Sequence, residues 1–193
     1  MVRINILICI AIAVIYTSFW ALLNRPEQEP SWPSRIQGFS FSPLRAGQNP
    51  TKGKLPSEKE IEADLALLSD KTNAIRTYTV EGVYSSIPKL AFKHKINVTL
   101  GAWLSTDLKQ NEEEIDKLIT LTKENYRNVV RVVVGNETVL RGDLSVKQLC
   151  SYLDRVRTAL EVPVGTAEPW HIWLENRSLA EHVDYIGTHM LPY

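Results

Sequence analysis

The residues best equipped for chemistry in this 193-residue sequence stand where apolar runs give way to polar ones. Glu137 is the sharpest case, because it follows VVRVVVGN, a run that would be apolar on both faces of a strand. A carboxyl at the end of such a strand is part-shielded from water. Desolvation disfavours its charged form, so the acid keeps its proton and can deliver it to a leaving glycosidic oxygen. Asn136, beside it, is placed to reach the sugar hydroxyl next to the anomeric carbon. The plainer alternative is that Glu137 caps the following turn or pairs with Arg141.

Similar residues end the other apolar runs: Ser42, then Arg76 and Tyr78, Trp103, Glu168 and Trp170, and finally His189 and Tyr193. Aromatic rings stack on the apolar faces of sugars, while carboxylates and amides bond their hydroxyls. Both kinds recurring at one level is the profile of a carbohydrate cleft. Trp103, Trp170 and Trp173 equally suit the space beneath loops, since Trp is a frequent filler there. His189 either orients a carboxylate or is a satisfied half-buried histidine. Glu168, as a plain alternative, pairs with Arg177 or His171. Glu168, His171 and His189 lack the close i, i+4 pairing of a metal site, so neither metal nor cofactor is implied. Ser42, Ser105 and Thr138 have no Gly-x-Ser-x-Gly setting for a nucleophilic serine.

These residues need strands to carry them. IQGFSFSP (36–43), AIRTYTV (74–80), INVTLGAWL (96–104), VVRVVVG (129–135), PVGTA (163–167) and VDYIGTHML (183–191) read as six strands. Helical patterns fall between them. Ser57 to Glu60 and Ser145 to Gln148 are capping boxes, opening helices that turn Ile61, Leu65 and Leu68, or Leu149, Leu153, Val156 and Leu160, inward. Ile87, Leu90 and Ala91 mark a short helix. Another begins at Glu112 to Glu114, acids suited to a helix N-terminus, and buries Ile115, Leu118 and Ile119. Alternating strands and helices predict a parallel sheet.

Such a sheet is either open and doubly wound or closed as a (β/α)8 TIM barrel. The loop after the first strand, SPLRAGQNPTKGK, lacks the G-x-G-x-x-G of a dinucleotide fold. The polar strand ends favour the barrel, whose catalytic residues gather at that face. A barrel needs about 250 residues, so the α/β domain at 36–193 reads as an incomplete one of about six βα units.

Before it, residues 4–23 are almost wholly apolar, and roughly 20 such residues span a bilayer as a helix. Arg3 precedes the run and Trp20 suits a membrane interface, which favours an uncleaved signal anchor at 1–23 with the domain outside the cytoplasmic membrane. A cleaved signal peptide is the rival, although its apolar region would be about 7–15 residues with a small-residue cleavage site. Residues 24–35, with Pro26, Pro30 and Pro33, read as a semi-extended spacer. Lys plus Arg (22) balances Asp plus Glu (22), which argues against nucleic acid as a partner.

IQGFSFSP, IRTYTV, LGAWL, VVRVVVGNE, GTAEPWHIW and HMLPY, in this order, resemble the bacterial branch of the family 17 glycoside hydrolases. That resemblance implies a retaining β-1,3-glucan-active barrel, often behind a membrane helix and sometimes joined to a processive glucosyltransferase. It implies Glu137 as acid/base, Asn136 as its sugar-positioning neighbour, and Arg76 and Tyr78 as cleft-lining residues. Glu168 would bind substrate or support Glu137, and Tyr193 would lie near a nucleophile borne on a seventh strand. Retaining chemistry needs two carboxyls about 5–5.5 Å apart, so these six strands alone are expected not to turn over. The linkage cut, β-1,3 or β-1,6, and the choice between hydrolysis and transglycosylation stay open. A reading of another class is a non-catalytic glucan-binding module serving a membrane glucan synthase.

Overall fold

The computed structural model describes residues 2–25, 31–125 and 127–190. Pro26 and Pro30 of the expected spacer and Tyr193 of the expected site lie outside the described residues. The chain divides into two units, Met1–Pro33 and Ser34–Tyr193.

Among its described residues the first unit carries one helix, α1 (Val2–Leu23), with no acidic residue in its first turn and no basic one in its last. It is 22 residues long, and a mean hydropathy of 2.5 over its most apolar window makes it a candidate membrane span. At about 1.5 Å rise per residue its length matches a hydrocarbon core of about 30 Å. A signal sequence near an N-terminus passes the same test of length and hydropathy.

The second unit holds a sheet of β1 (Phe39–Ser40), β2 (Ala74–Arg76), β3 (Asn97–Ala102), β4 (Val129–Asn136), β5 (Val164–Pro169) and β6 (Tyr185–His189). The strands pair in sequence order and every pairing is parallel. A doubly wound sheet would reverse its order at a switch point; this one does not. The sheet also curls. β2 and β6 are four strands apart, about 19 Å in a flat sheet, yet Arg76 Nη1 lies 3.4 Å from His189 Nε2. A six-stranded parallel sheet closing on itself in this way is consistent with part of a (β/α)8 barrel.

Helices α2 (Glu58–Leu68), α3 (Ile87–Lys93), α4 (Leu108–Glu124), α5 (Val146–Ala159) and α6 (Trp170–Glu175) follow successive strands. Both expected capping boxes are present, at Ser57/Glu60 and Ser145/Gln148. Ile61, Leu65, Ile115, Leu118, Leu149, Leu153 and Val156 are fully buried against Val98, Leu100, Val132, Val134 and Val164. Each such side chain contributes about 1.5–3 kcal/mol over leaving it exposed.

Three local expectations are corrected. The first and second strands are far shorter than 36–43 and 74–80, because their C-terminal halves leave the ladder to form loops at the sheet's end. Helix α4 begins earlier, with Asp107 as its cap accepting from the amides of Lys109 and Gln110. Glu112 to Glu114 therefore fall in its second turn, and Glu114 is buried rather than facing water. Trp170 opens α6 directly after β5 instead of ending the fifth strand.

Low in the sheet, the Tyr185 ring lies over Gly165, where an added Cβ would come within 2.8 Å of it. The hydroxyl donates to Val132 O at 2.8 Å, and burial pushes the phenol up to about 12. This ring ties β6 across β5 to β4.

Candidate active site

Strand β4 gains a residue near its end: Val133 pairs with Gly165 but Asn136 pairs with Ala167. A bulge of this kind re-aims the side chains after it. Gly135 takes φ +79 at the bulge, and a Cβ there would approach Thr138 Oγ1 to 2.5 Å. Glu137 itself stands at φ +54, a left-handed backbone unusual for a residue other than glycine. Its amide donates to Ala167 O at 2.7 Å and its carbonyl accepts from the amide of Arg141 at 2.9 Å. The backbone is thus pinned on both sides of the carboxyl.

The side chains from β2, β4 and β6 then meet. Arg76 Nη2 donates to Asn136 Oδ1 at 2.7 Å, and its Nη1 faces His189 Nε2 at 3.4 Å. His189 Nδ1 lies 2.6 Å from Glu137 Oε1. Arginine only donates, so Nε2 of His189 accepts and the ring proton sits on Nδ1, pointing at Glu137. The same reasoning orients Asn136: its oxygen is turned to Arg76, and its amide donors are left for a ligand. Glu137 Oε1 is an occupied acceptor. A proton for transfer would therefore ride on Oε2. Both side chains of the Glu137–His189 pair are about a quarter exposed, at 30% and 22%, so the site is reachable without being fully wet. Tyr78 lies under the Arg76 guanidinium, 5.1 Å from carbon to ring centre.

The loop after Glu137 is held from beneath. Glu168 is wholly buried, and its two carboxylate oxygens accept from the amides of Val139 (2.8 Å) and Leu140 (3.3 Å). Burial lifts its carboxyl above the usual carboxylate range, opposed by those two amides and by Arg141, while Glu137 adds to the rise. Expected as a substrate contact or a support for Glu137, Glu168 offers no surface to a ligand and braces the loop.

Arg141 does not pair with Glu137. It forms an ion pair with Asp143 at 2.7 Å, donates to Asn136 O and to Leu104 O (2.9 Å), and covers one face of Trp103 at 4.3 Å. Trp103 keeps only its other face for any ligand. Trp170 is 48% exposed on α6, with its ring edge against His171. Trp173 is core, donating its indole N–H to Gly187 O at 2.9 Å.

The structure thus brings together Arg76, Tyr78, Asn136, Glu137 and His189, with Trp103 joined through Arg141. Sequence reasoning missed the roles of Arg141 and Glu114. Arg141 carried a signal, four residues beyond Glu137, but spacing did not say that its guanidinium would turn to Trp103. Among the described residues no group of three or more His, Cys, Asp or Glu gathers as a metal site.

Residues 38–193 match the BtgE/BtgC glycoside hydrolase domain. The chain is 24% identical over 189 residues to a protein of Aspergillus terreus named "Probable glucan endo-1,3-beta-glucosidase btgC", covering 90% of this chain and 28% of that one. It is 28% identical over 143 residues to the "Glucan 1,3-beta-glucosidase" of Schizosaccharomyces pombe, covering 68% of this chain and 44% of the relative. The chain therefore spans between about a quarter and under half of these relatives. Its fold resembles a glycoside hydrolase family 17 β-1,3-glucanosyltransferase from Rhizomucor miehei, with a TM-score of 0.69 at 21% identity, covering 82% of this chain and 58% of that one. An active-site mutant of the Rhizomucor enzyme in complex with laminaritriose gives the same TM-score of 0.69.

Proposed function

The chain belongs to the BtgE/BtgC glycoside hydrolase domain family, and from that premise we propose that it supplies the acid/base half of a retaining site for β-linked glucan. The observation that carries this is the convergence of Glu137, His189, Arg76 and Asn136 at the C-terminal ends of three strands. That face is where barrel enzymes place their chemistry.

Glu137 Oε2 protonates the departing glycosidic oxygen and later takes a proton from the accepting water or sugar hydroxyl. Oε1 stays bonded to His189 throughout, so the carboxyl does not swing between the two steps. The Asn136 amide donates to the hydroxyl beside the anomeric carbon. Glu168 does not serve as the nucleophile, since both its oxygens are bound to backbone amides in a buried site. A carboxyl on a further strand takes that role. The glucans named for the relatives support a β-1,3-linked substrate. With α1, the ordered motifs support a membrane-anchored, bacterial-type member whose domain faces outward, free or joined to a glucosyltransferase.

The test is Glu137→Gln assayed on β-1,3-glucan in a full-length protein that also carries the nucleophile. Loss of general acid catalysis lowers kcat/KM by about 10²–10⁴-fold, with glucan binding largely spared. Azide added to Glu137→Ala should yield a glycosyl azide of retained configuration. Full turnover by Glu137→Gln would remove Glu137 from the role. Binding by the full-length wild type without any cleavage would favour the glucan-binding module.

A further inference from the structure

A second recess opens at the same end of the sheet, away from Glu137. It holds about 240 Å³ between the loops after β1 and β2, the end of β3 and the start of α4. Leu55, Tyr84 and Trp103 give it apolar walls, and Glu81, Gln110 and Glu114 give it polar ones. None of Arg76, Asn136, Glu137 or His189 lines it.

Glu114 is the telling residue. It is only 6% exposed, yet its three hydrogen bonds all end on one oxygen. Thr79 Oγ1 (2.7 Å), Val80 N (2.9 Å) and Trp103 N (3.0 Å) donate to Oε1. Those bonds explain a carboxylate that staples the β2 and β3 loops. They leave Oε2 with no donor among the described residues, beside the cavity that Glu114 lines. That oxygen is an acceptor turned to the cavity, where a ligand hydroxyl can donate to it. Gln110 and Glu81, joined at 3.4 Å, offer further planar polar groups. Arg141 occupies one face of Trp103, so the cavity takes what remains of that ring.

Three classes of occupant compete. A metal ion would need more hard ligands than Glu114 and Glu81, and most of the wall is apolar. A drug-sized ligand fills about 300–1,000 Å³, more than this recess holds. A single pyranose unit fits: its ring C–H face meets Trp103 or Tyr84, and its hydroxyls reach Glu114 Oε2 and Gln110. We propose that this cavity is a carbohydrate subsite for one neutral hexose unit, separate from the Glu137 cleft. The identity of the sugar, a glucosyl unit, rests on the glucan reading above; the existence of the site does not.

The probe is laminaritriose, titrated into the protein in detergent micelles while the indole N–H signal of Trp103 is followed by NMR. The expected result is a saturable shift whose apparent Kd rises about tenfold, about 1.4 kcal/mol, in Gln110→Ala and in Tyr84→Ala. Gln110 is exposed, so its variant keeps the test intact should Tyr84→Ala fold poorly. Asn136→Ala, altered only in the cleft, should leave the Trp103 titration in place. No Trp103 shift, a shift indifferent to both cavity variants, or one abolished by Asn136→Ala overturns the proposal. Normal cleavage by Glu137→Gln alongside an intact Trp103 titration would sink the mechanism and leave the subsite standing.

Discussion

His189 sits between Arg76 and Glu137, its Nδ1 2.6 Å from Glu137 Oε1 and its Nε2 3.4 Å from Arg76 Nη1. Because the arginine can only donate, a hydrogen bond between them requires Nε2 to accept, which leaves Nδ1 as the donor toward Glu137. The ring keeps Arg76 from reaching Glu137 directly. Were the two to meet, the pair would hold Glu137 as a carboxylate and remove the proton it has to give.

His189→Ala should therefore let Arg76 close on Glu137 and lower kcat/KM on β-1,3-glucan by about 10²-fold, the scale of an ångström of misplacement. An aryl glucoside with a good leaving group needs little protonation and should be hurt far less. An equal loss on both substrates would reduce His189 to a structural role.

Glu137 also bears a backbone cost. At φ +54 its Cβ crowds its own carbonyl, a strain of roughly 1–2 kcal/mol that glycine escapes. Glu137→Ala and Glu137→Gly both lose the bond to His189 and differ mainly in this strain. Glu137→Gly should melt higher by about 2–4 °C per kcal/mol in a domain of this size. The unfolded chain favours alanine by about 0.4–1 kcal/mol, so the ordering itself is diagnostic. A higher Tm for Glu137→Ala would show the turn to be unstrained.

That strain marks where the sequence stopped being legible. The six strands, both capping boxes and the apolar faces of α2 and α5 follow from periodicity, because the same burial that selects Leu149 or Val132 also folds them. The placement of Glu137 at a strand end follows likewise. The bulge at Gly135 does not: one extra residue in β4 leaves no trace in the hydrophobic pattern, yet it aims the whole site. The bracing by Glu168 and Glu114 was hidden for a related reason. An acid in sequence looks like a surface or ligand group, and only the structure shows backbone amides aimed at it. Arg141 has several candidate partners within reach; Asp143 is local, but the contact with Trp103 depends on β3 and β4 being neighbours.

Helix α1 gives a prediction that also separates the two readings of the N-terminus. An uncleaved anchor keeps the protein in membranes through alkaline carbonate extraction, and deletion of residues 2–23 releases the rest as a soluble domain. A mature N-terminus found beyond Leu23 by sequencing would instead identify a cleaved signal peptide.

Glu168 makes stability depend on pH through a residue that touches no ligand. Burial, the largest influence, raises its carboxyl above the ordinary carboxylate range despite the Val139 and Leu140 amides. The folded state then holds a proton that the unfolded chain has already released. Stability from this group is full below the unfolded value and is lost as pH climbs through the folded one. Glu168→Gln cannot titrate and lacks that slope, although its amide N–H₂ must face one of the two backbone donors. The wild type's advantage in Tm over Glu168→Gln should accordingly be largest near about pH 4 and shrink towards about pH 7, across the range where a raised carboxyl ionises. Thermal melts at matched ionic strength read this directly. An advantage that grows with pH would mean the two amides outweigh burial and hold Glu168 as a stabilising anion. The variant also loosens the segment immediately after Glu137, so its glucan cleavage should fall while the Glu137–His189 pair remains.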